Sequence, residues 1–287
     1  MDSKLKPYML LLPAIIVLLG IFMAGLLSAL VQSLGYFPVV GLKKITFEYY
    51  LEVFKNQDFL KSLFFSLYIS LTSSVAAVII GVLLAYLIVK SQYKEGIETV
   101  LYKLPIIVPH MVAALLIFNI LSQSGILPRI FFNLGIIRDQ SQFCNLVFDK
   151  NGIGIVTTYI WKEIPFVTMV VYTILNNLNK ELLEVALNLG AKKWQGFIYV
   201  ALPLLMPTIG SAFIIIFAFS FGAFEVPYLL GPTYPKALPV LAYTAYTNPD
   251  LTNRPYAMVI SMILTIVSVI LILLYTKFFR LLNDYNR

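Results

Sequence analysis

Glu181-Leu182-Leu183-Glu184-Val185-Ala186-Leu187-Asn188-Leu189-Gly190-Ala191-Lys192-Lys193-Trp194-Gln195-Gly196-Phe197-Ile198-Tyr199-Val200-Ala201-Leu202-Pro203 is the stretch on which the fold turns. Leu182, Leu183, Val185, Ala186 and Leu189 predict a short helix with one apolar face. Gly190 ends it, as glycine does just beyond a helix C-terminus. A second short helix is expected over Lys192–Val200, carrying Trp194, Phe197 and Ile198 at helical spacing. Pro203 closes the unit and opens a long apolar run. The spacing predicts a small helix–turn–helix between two apolar segments. Trp194 and several aliphatic groups are then exposed where no lipid covers them, and such a patch calls for a protein partner.

The surroundings are apolar from end to end. Of 287 residues, 60% are hydrophobic and 12% charged, whereas soluble domains carry roughly 25% charged residues. A helix needs about 20 apolar residues to cross a bilayer core. Six runs meet or approach this: 8–31, 63–89, 104–121, 153–175, 202–224 and 256–279, with the helix–turn–helix inside a loop at 176–203. The third run is short and starts among Pro105 and Pro109. The fourth is interrupted at Trp161-Lys162-Glu163-Ile164-Pro165. The first run is too long for a signal-peptide core and no small-x-small cleavage site follows it, so it reads as a retained helix. The expected class is an all-α integral membrane protein with six transmembrane helices in one domain, 1–287.

Net charge is +7. The basic residues sit in short loops, which points to topology and anionic lipid rather than to nucleic acid. Lys4, Lys6, Lys90, Lys94, Lys103, Lys180, Lys192, Lys193, Lys277, Arg280 and Arg287 crowd the shorter segments on one side. Lys43, Lys44, Lys55, Lys61, Arg129, Arg138, Lys150, Lys236 and Arg254 are spread through longer loops on the other. This predicts both termini in the cytoplasm. One cysteine, Cys144, and one histidine, His110, leave no intrachain disulfide, no cysteine or histidine metal site to expect and no catalytic constellation to name.

Ionisable groups at membrane depth mark function or special packing. Lys162 and Glu163 either line a translocation path or sit at the outer interface with Lys162 snorkelling. Glu225, before Pro227, either faces the path or pairs with Lys236 or Lys162. Asn119 and Gln123 end the third run with hydrogen-bonding groups. His110 reads as an interfacial residue. The segment after the fifth run, Pro227–Pro255, is proline-rich yet partly apolar, and is expected to fold back against the helices.

The opening stretch resembles the EAA signature of binding-protein-dependent ABC importer permeases. That signature is Glu-Ala-Ala, three residues, Gly, nine residues, an aliphatic, one residue, then Leu-Pro. Glu184, Ala186, Gly190, Val200, Leu202 and Pro203 fall at those positions, and Val185 replaces the first alanine. Ile160–Phe166 and Phe221–Pro232 look like the same family, and the likeness spans roughly 59–279. It implies the six-helix permease fold of a type I importer in a bacterial inner membrane. Glu184, Ala186, Gly190, Ala191, Trp194, Leu202 and Pro203 would then couple to an ATPase. It also implies two ATPase subunits holding ATP and magnesium, a second permease (identical or paralogous), and an extracytoplasmic solute-binding protein. This chain has no Gly-Lys dipeptide and so no P-loop. The likeness leans to the polyamine, iron, phosphonate and thiosulfate branch, with a polyamine-like cation as the first expectation and an anion, metal or sugar as alternatives. A secondary transporter or a membrane enzyme would leave the signature unexplained.

Overall fold

The computed structural model describes residues 6–91, 97–178 and 180–285. Lys4, Lys94 and Arg287, used above for orientation, lie outside them. The described residues are mainly helical, with no strand beyond an isolated bridge between Phe37 and Leu42. Six stretches are long and apolar enough to cross a membrane: Met9–Ser33, Gln57–Ser91, His110–Asn133, Ile153–Asn177, Lys193–Gly222 and Leu251–Lys277. The helices are α1 (Lys6–Ser33), α2 (Glu48–Lys55), α3 (Gln57–Ser91), α4 (Ile97–Ile107), α5 (His110–Leu121), α6 (Ile126–Asn133), α7 (Ile153–Asn177), α8 (Lys180–Asn188), α9 (Lys193–Gly196), α10 (Leu202–Gly222), α11 (Glu225–Leu230), α12 (Leu238–Tyr246) and α13 (Arg254–Tyr285). They divide between two compact units, Met1–Leu60 with Leu238–Val267, and Lys61–Ala237 with Ser268–Arg287.

In the first unit, α1 exposes apolar side chains along nearly its whole length. Such a surface is stable only in lipid or against a protein partner. Its end is tied down. Ser33 Oγ donates to the Leu30 carbonyl and lies 2.8 Å from the Tyr50 hydroxyl on α2. The turn that follows needs Gly35, whose φ is +82° and whose missing Cβ would meet the Tyr49 ring at 2.7 Å. Tyr256 of α13 donates to Glu52 and meets Tyr49 edge-on at 5.1 Å. The Arg254 guanidinium lies 3.8 Å over the Tyr246 ring.

In the second unit, α7 is the central element, packed against α4, α5, α10 and α11. Val167, Val171 and Leu175 of α7 join Ala77 and Ala85 of α3 and Leu205, Ile209, Ala212 and Ile216 of α10 in one core. Small residues make the α3–α7 crossing close. Ala77, Gly81 and Ala85 recur every four residues, and a Cβ on Gly81 would sit 2.8 Å from Val167 Cβ. Thr168 Oγ1 donates across the crossing to the Gly81 carbonyl at 3.3 Å and to its own helix at Ile164.

Three helices differ from the sequence expectation, each for a proline. The run 104–121 is not one helix. The chain breaks at Val108-Pro109 between α4 and α5, because Pro109 has no N–H and disfavours helical backbone at Val108. The run 153–175 is uninterrupted, since α7 absorbs Pro165 within a packed bundle. The expected unit ending at Pro203 instead runs on. From Lys193 the chain stays helical to Gly222, through a five-residue π-helical stretch at Phe197–Ala201. Pro203 cannot donate to the Tyr199 carbonyl, and a widened turn is a common accommodation.

Candidate functional site

The middle of α7 carries the buried charges. Lys162 is 8% exposed and Glu163 is 5% exposed. Lys162 lies nine residues into α7, about 14 Å along its axis. Adjacent helix positions point about 100° apart, and the two side chains part accordingly. Lys162 Nζ donates to the Pro105 carbonyl at 2.8 Å and to the Val108 carbonyl. In an unbroken helix the Pro105 carbonyl would take the N–H of residue 109, which is proline. The ammonium therefore replaces a missing backbone donor at the C-terminal end of α4, where the helix dipole favours a cation.

Glu163 turns toward α10 and accepts a hydrogen bond from Ser220 Oγ. Its Oε2 and the hydroxyl of Tyr159, one turn earlier on the same face, are buried without a hydrogen-bond partner among the described residues. Beside them opens a cleft of about 230 Å³ lined by Tyr159, Lys162, Glu163, His110, Phe166 and Phe219, with Ile106, Ile215 and Ile216. The His110 ring lies against Phe219 with centroids 4.8 Å apart. His110, read from sequence as interfacial, is thus a wall of this cleft.

Glu225 begins α11, which packs on α5 and α7 rather than extending the fifth span. The pairing alternatives from sequence do not hold: Lys162 is engaged by carbonyls, and Glu225 forms no ion pair with Lys162 or Lys236. Glu225 instead lies within electrostatic reach of His110 and Tyr159. Asn119 and Gln123 are not brought to the cleft. Asn119 bonds back to the Leu115 carbonyl of its own helix at 2.8 Å. Gln123 donates to the Phe143 carbonyl and lines a separate hollow of about 530 Å³ with Arg129 and Arg138. Ser220, Tyr159 and Phe219 were not singled out in sequence. Tyr159 carried a signal, its four-residue offset from Glu163, whereas Ser220 is 57 positions away. Among the described residues no group of three His, Cys, Asp or Glu side chains is placed to hold a metal.

The second place is the α8–α10 connection. Gly190 has φ +88°. Its N–H donates to the Leu187 carbonyl at 2.9 Å, and the Ala191 N–H reaches back to Ala186 at 3.1 Å. This pair of bonds is a Schellman closure of α8. The left-handed backbone at residue 190 requires glycine, since a Cβ there is strained even in open space. Gln195 Oε1 accepts the Lys192 N–H at 2.7 Å and starts α9. The turn displays apolar groups, with Leu189 84% and Trp194 51% exposed. Glu184 is exposed on α8, Leu202 is half-buried and Pro203 exposed. Phe197 anchors the connection to α3 by packing 4.3 Å from the Tyr86 ring.

Residues 77–284 match the protein family described as binding-protein-dependent transport system inner membrane component. The spermidine/putrescine transport system permease protein PotB of Escherichia coli (strain K12) is 30% identical over 222 residues, 76% of this chain and 77% of PotB. The probable ABC transporter permease protein YurN of Bacillus subtilis (strain 168) is 26% identical over 294 residues, 97% of each chain. The fold is similar to a chain in the crystal structure of a bacterial ABC transporter involved in the import of the acidic polysaccharide alginate. The TM-score is 0.79, with 21% identity over 97% of each chain.

Proposed function

Because the chain belongs to the family of binding-protein-dependent transport system inner membrane components, the ABC importer permeases, we propose that its solute is a polyamine-like cation delivered by an extracytoplasmic binding protein. The likeness to PotB supports the cation. The observation that carries it is an acidic side chain, Glu163, lining the cleft with Glu225 in electrostatic reach of His110, while the lysine there is committed to backbone carbonyls. An anion, metal or sugar is the alternative, since the same fold also occurs in an importer of an acidic polysaccharide.

ATP and magnesium belong, in this reading, to two separate ATPase subunits, and a second permease completes the path. Both termini face the cytoplasm, so the α8–α9 turn meets the ATPase. Glu184 and Trp194 present the contact, and the Gly190 closure makes the turn stiff enough to transmit force. The π-helical stretch and α10 carry that motion toward Ser220 and Glu163. Docking of the binding protein and ATP-driven closure of the ATPases open the cores outward, and hydrolysis returns them inward.

The test is a pull-down from mild detergent with mass spectrometry of the bound chains, beside a Glu184→Arg variant. The expected result is an ATPase and a second permease with the native chain, and loss of the ATPase from the variant. A chain that comes down alone and stable would overturn the importer assembly.

A further inference from the structure

The segment between the first two spans carries an apolar stripe that its own unit does not cover. Side chains of α2 divide by helical phase. On one side Tyr50 lies 2.8 Å from Ser33 of α1, Tyr49 meets the Tyr256 ring of α13, Glu52 accepts from the Tyr256 hydroxyl, and Val53 is buried. On the other side stand Leu51 and Phe54, with Phe47 just before the helix, 61%, 49% and 68% exposed. At 100° per residue these three positions fall within about 60° of one another, so they form one face.

Depth decides what can meet that face. Met9–Ser33 is 25 residues long, roughly 37 Å of helix against a hydrocarbon core of about 30 Å. Its C-terminal end therefore reaches the far boundary of the bilayer, and Tyr50 ties α2 to Ser33 at that end. The Tyr256 contacts place α2 beside the first turn of α13, and α3 starts two residues after α2 ends. Three spans thus begin or end around this short helix, which puts it at the bilayer boundary. Composition then selects lipid over protein. Lys43, Lys44 and Lys55 are exposed in the same segment. Lysine is depleted at protein interfaces, whereas lysines beside an apolar helix face suit lipid headgroups. Tyr49, Tyr50 and Tyr256, whose rings stand beside the helix, are of the type enriched at headgroup level.

We propose that α2 is an interfacial anchor. It lies on the leaflet at the end of α1 remote from the N-terminus, with Phe47, Leu51 and Phe54 among the upper acyl-chain carbons and Lys55 at the headgroups. Through Ser33 and Tyr256 it holds the neighbouring ends of α1 and α13 at a set depth. The identity of the solute plays no part in this.

Collision accessibility of single nitroxide labels tests this, on the full-length chain with its co-purified subunits in nanodiscs of phosphatidylcholine and phosphatidylglycerol. The labels are attached to Leu51→Cys, Phe54→Cys or Glu48→Cys, each in a Cys144→Ser background because Cys144 is exposed. Glu48 is exposed and about 90° around the helix from the middle of the stripe. The ratio of oxygen to nickel-chelate collisions should be several-fold higher at Leu51 and Phe54 than at Glu48. Nickel access at Leu51 and Phe54 equal to that at Glu48 puts the face in water and overturns the anchor. Protection from both reagents puts a protein there, the second permease or the binding protein, and overturns it too. The native chain supplies a check that needs no substitution and decides the matter if a labelled variant fails to insert. A phospholipid carrying a diazirine near the top of its acyl chain should cross-link within residues 47–55 on illumination. Labelling of the spans with none in that stretch overturns the anchor.

Discussion

Replacing Lys162 by methionine removes the donor that holds the α4–α5 break while keeping the length and apolar stem of the side chain. Two carbonyls, Pro105 and Val108, lose their bond to Nζ. Hydrogen bonds to a charged group are worth about 1.5–3 kcal/mol each. Relief from burying an ammonium offsets part of that, which leaves a net loss of about 2–4 kcal/mol. Measured interhelical bonds in bilayers are weaker, about 0.6 kcal/mol on average, so about 1 kcal/mol is the floor. Equilibrium unfolding of the purified chain by sodium dodecyl sulfate in mixed micelles, followed by circular dichroism, reads this directly. Pro109→Ala supplies the cross-check. Alanine restores an N–H four residues beyond Pro105, so that carbonyl gains a helical donor of its own. In the Pro109→Ala background, Lys162→Met should cost about 1–2 kcal/mol less than in the native chain, a coupling typical of groups in one network. A loss below about 0.5 kcal/mol for Lys162→Met, or strict additivity in the cycle, would refute the view that the lysine stands in for a missing backbone donor.

Other substitutions probe separate parts of the chain. Gly81→Leu drives a side chain into Val167 and the Ile164 carbonyl, and should destabilise the chain by more than the about 1–3 kcal/mol usual for overpacking, seen as a lower midpoint in the same titration. Gly190→Pro demands φ near −65° where the backbone has +88° and deletes the N–H bonded to Leu187. Membrane insertion and helix content should persist while uptake by the assembled importer is abolished, and normal uptake would remove the coupling role of the turn. Asp250 is held below the ordinary carboxylate range by hydrogen bonds from the Thr252 hydroxyl and N–H. A depressed value stabilises the 3-10 turn Leu251–Asn253 above the unfolded Asp value of about 3.9 and loses that support as pH falls through the folded one. Protection of the Thr252 amide, measured by hydrogen exchange and corrected for intrinsic rates, should stay flat from pH 7 to 5 and fall only below about 4. A fall near pH 6 would point to another group.

Much of this protein was legible in the residues alone. Runs of about 20 apolar residues admit no solvent but lipid, and a helix is the simplest element that satisfies its own backbone there. Gly190 announced the end of α8 because left-handed backbone is expensive for any other residue, and the spacing from Glu184 to Pro203 identified the family. The Ala77-Gly81-Ala85 stripe was also present in the sequence, although its close approach to Val167 shows only once α7 lies across it. The tertiary structure decided what the buried charges do. Whether Lys162 faces water, lipid or protein depends on the carbonyls freed by Pro109, more than 50 positions earlier. Whether Glu163 is paired depends on Ser220, 57 positions later. Side-chain direction on a single helix follows from its pitch, but the partner at the end of that direction is set by how separate helices pack, and that is written in no local pattern.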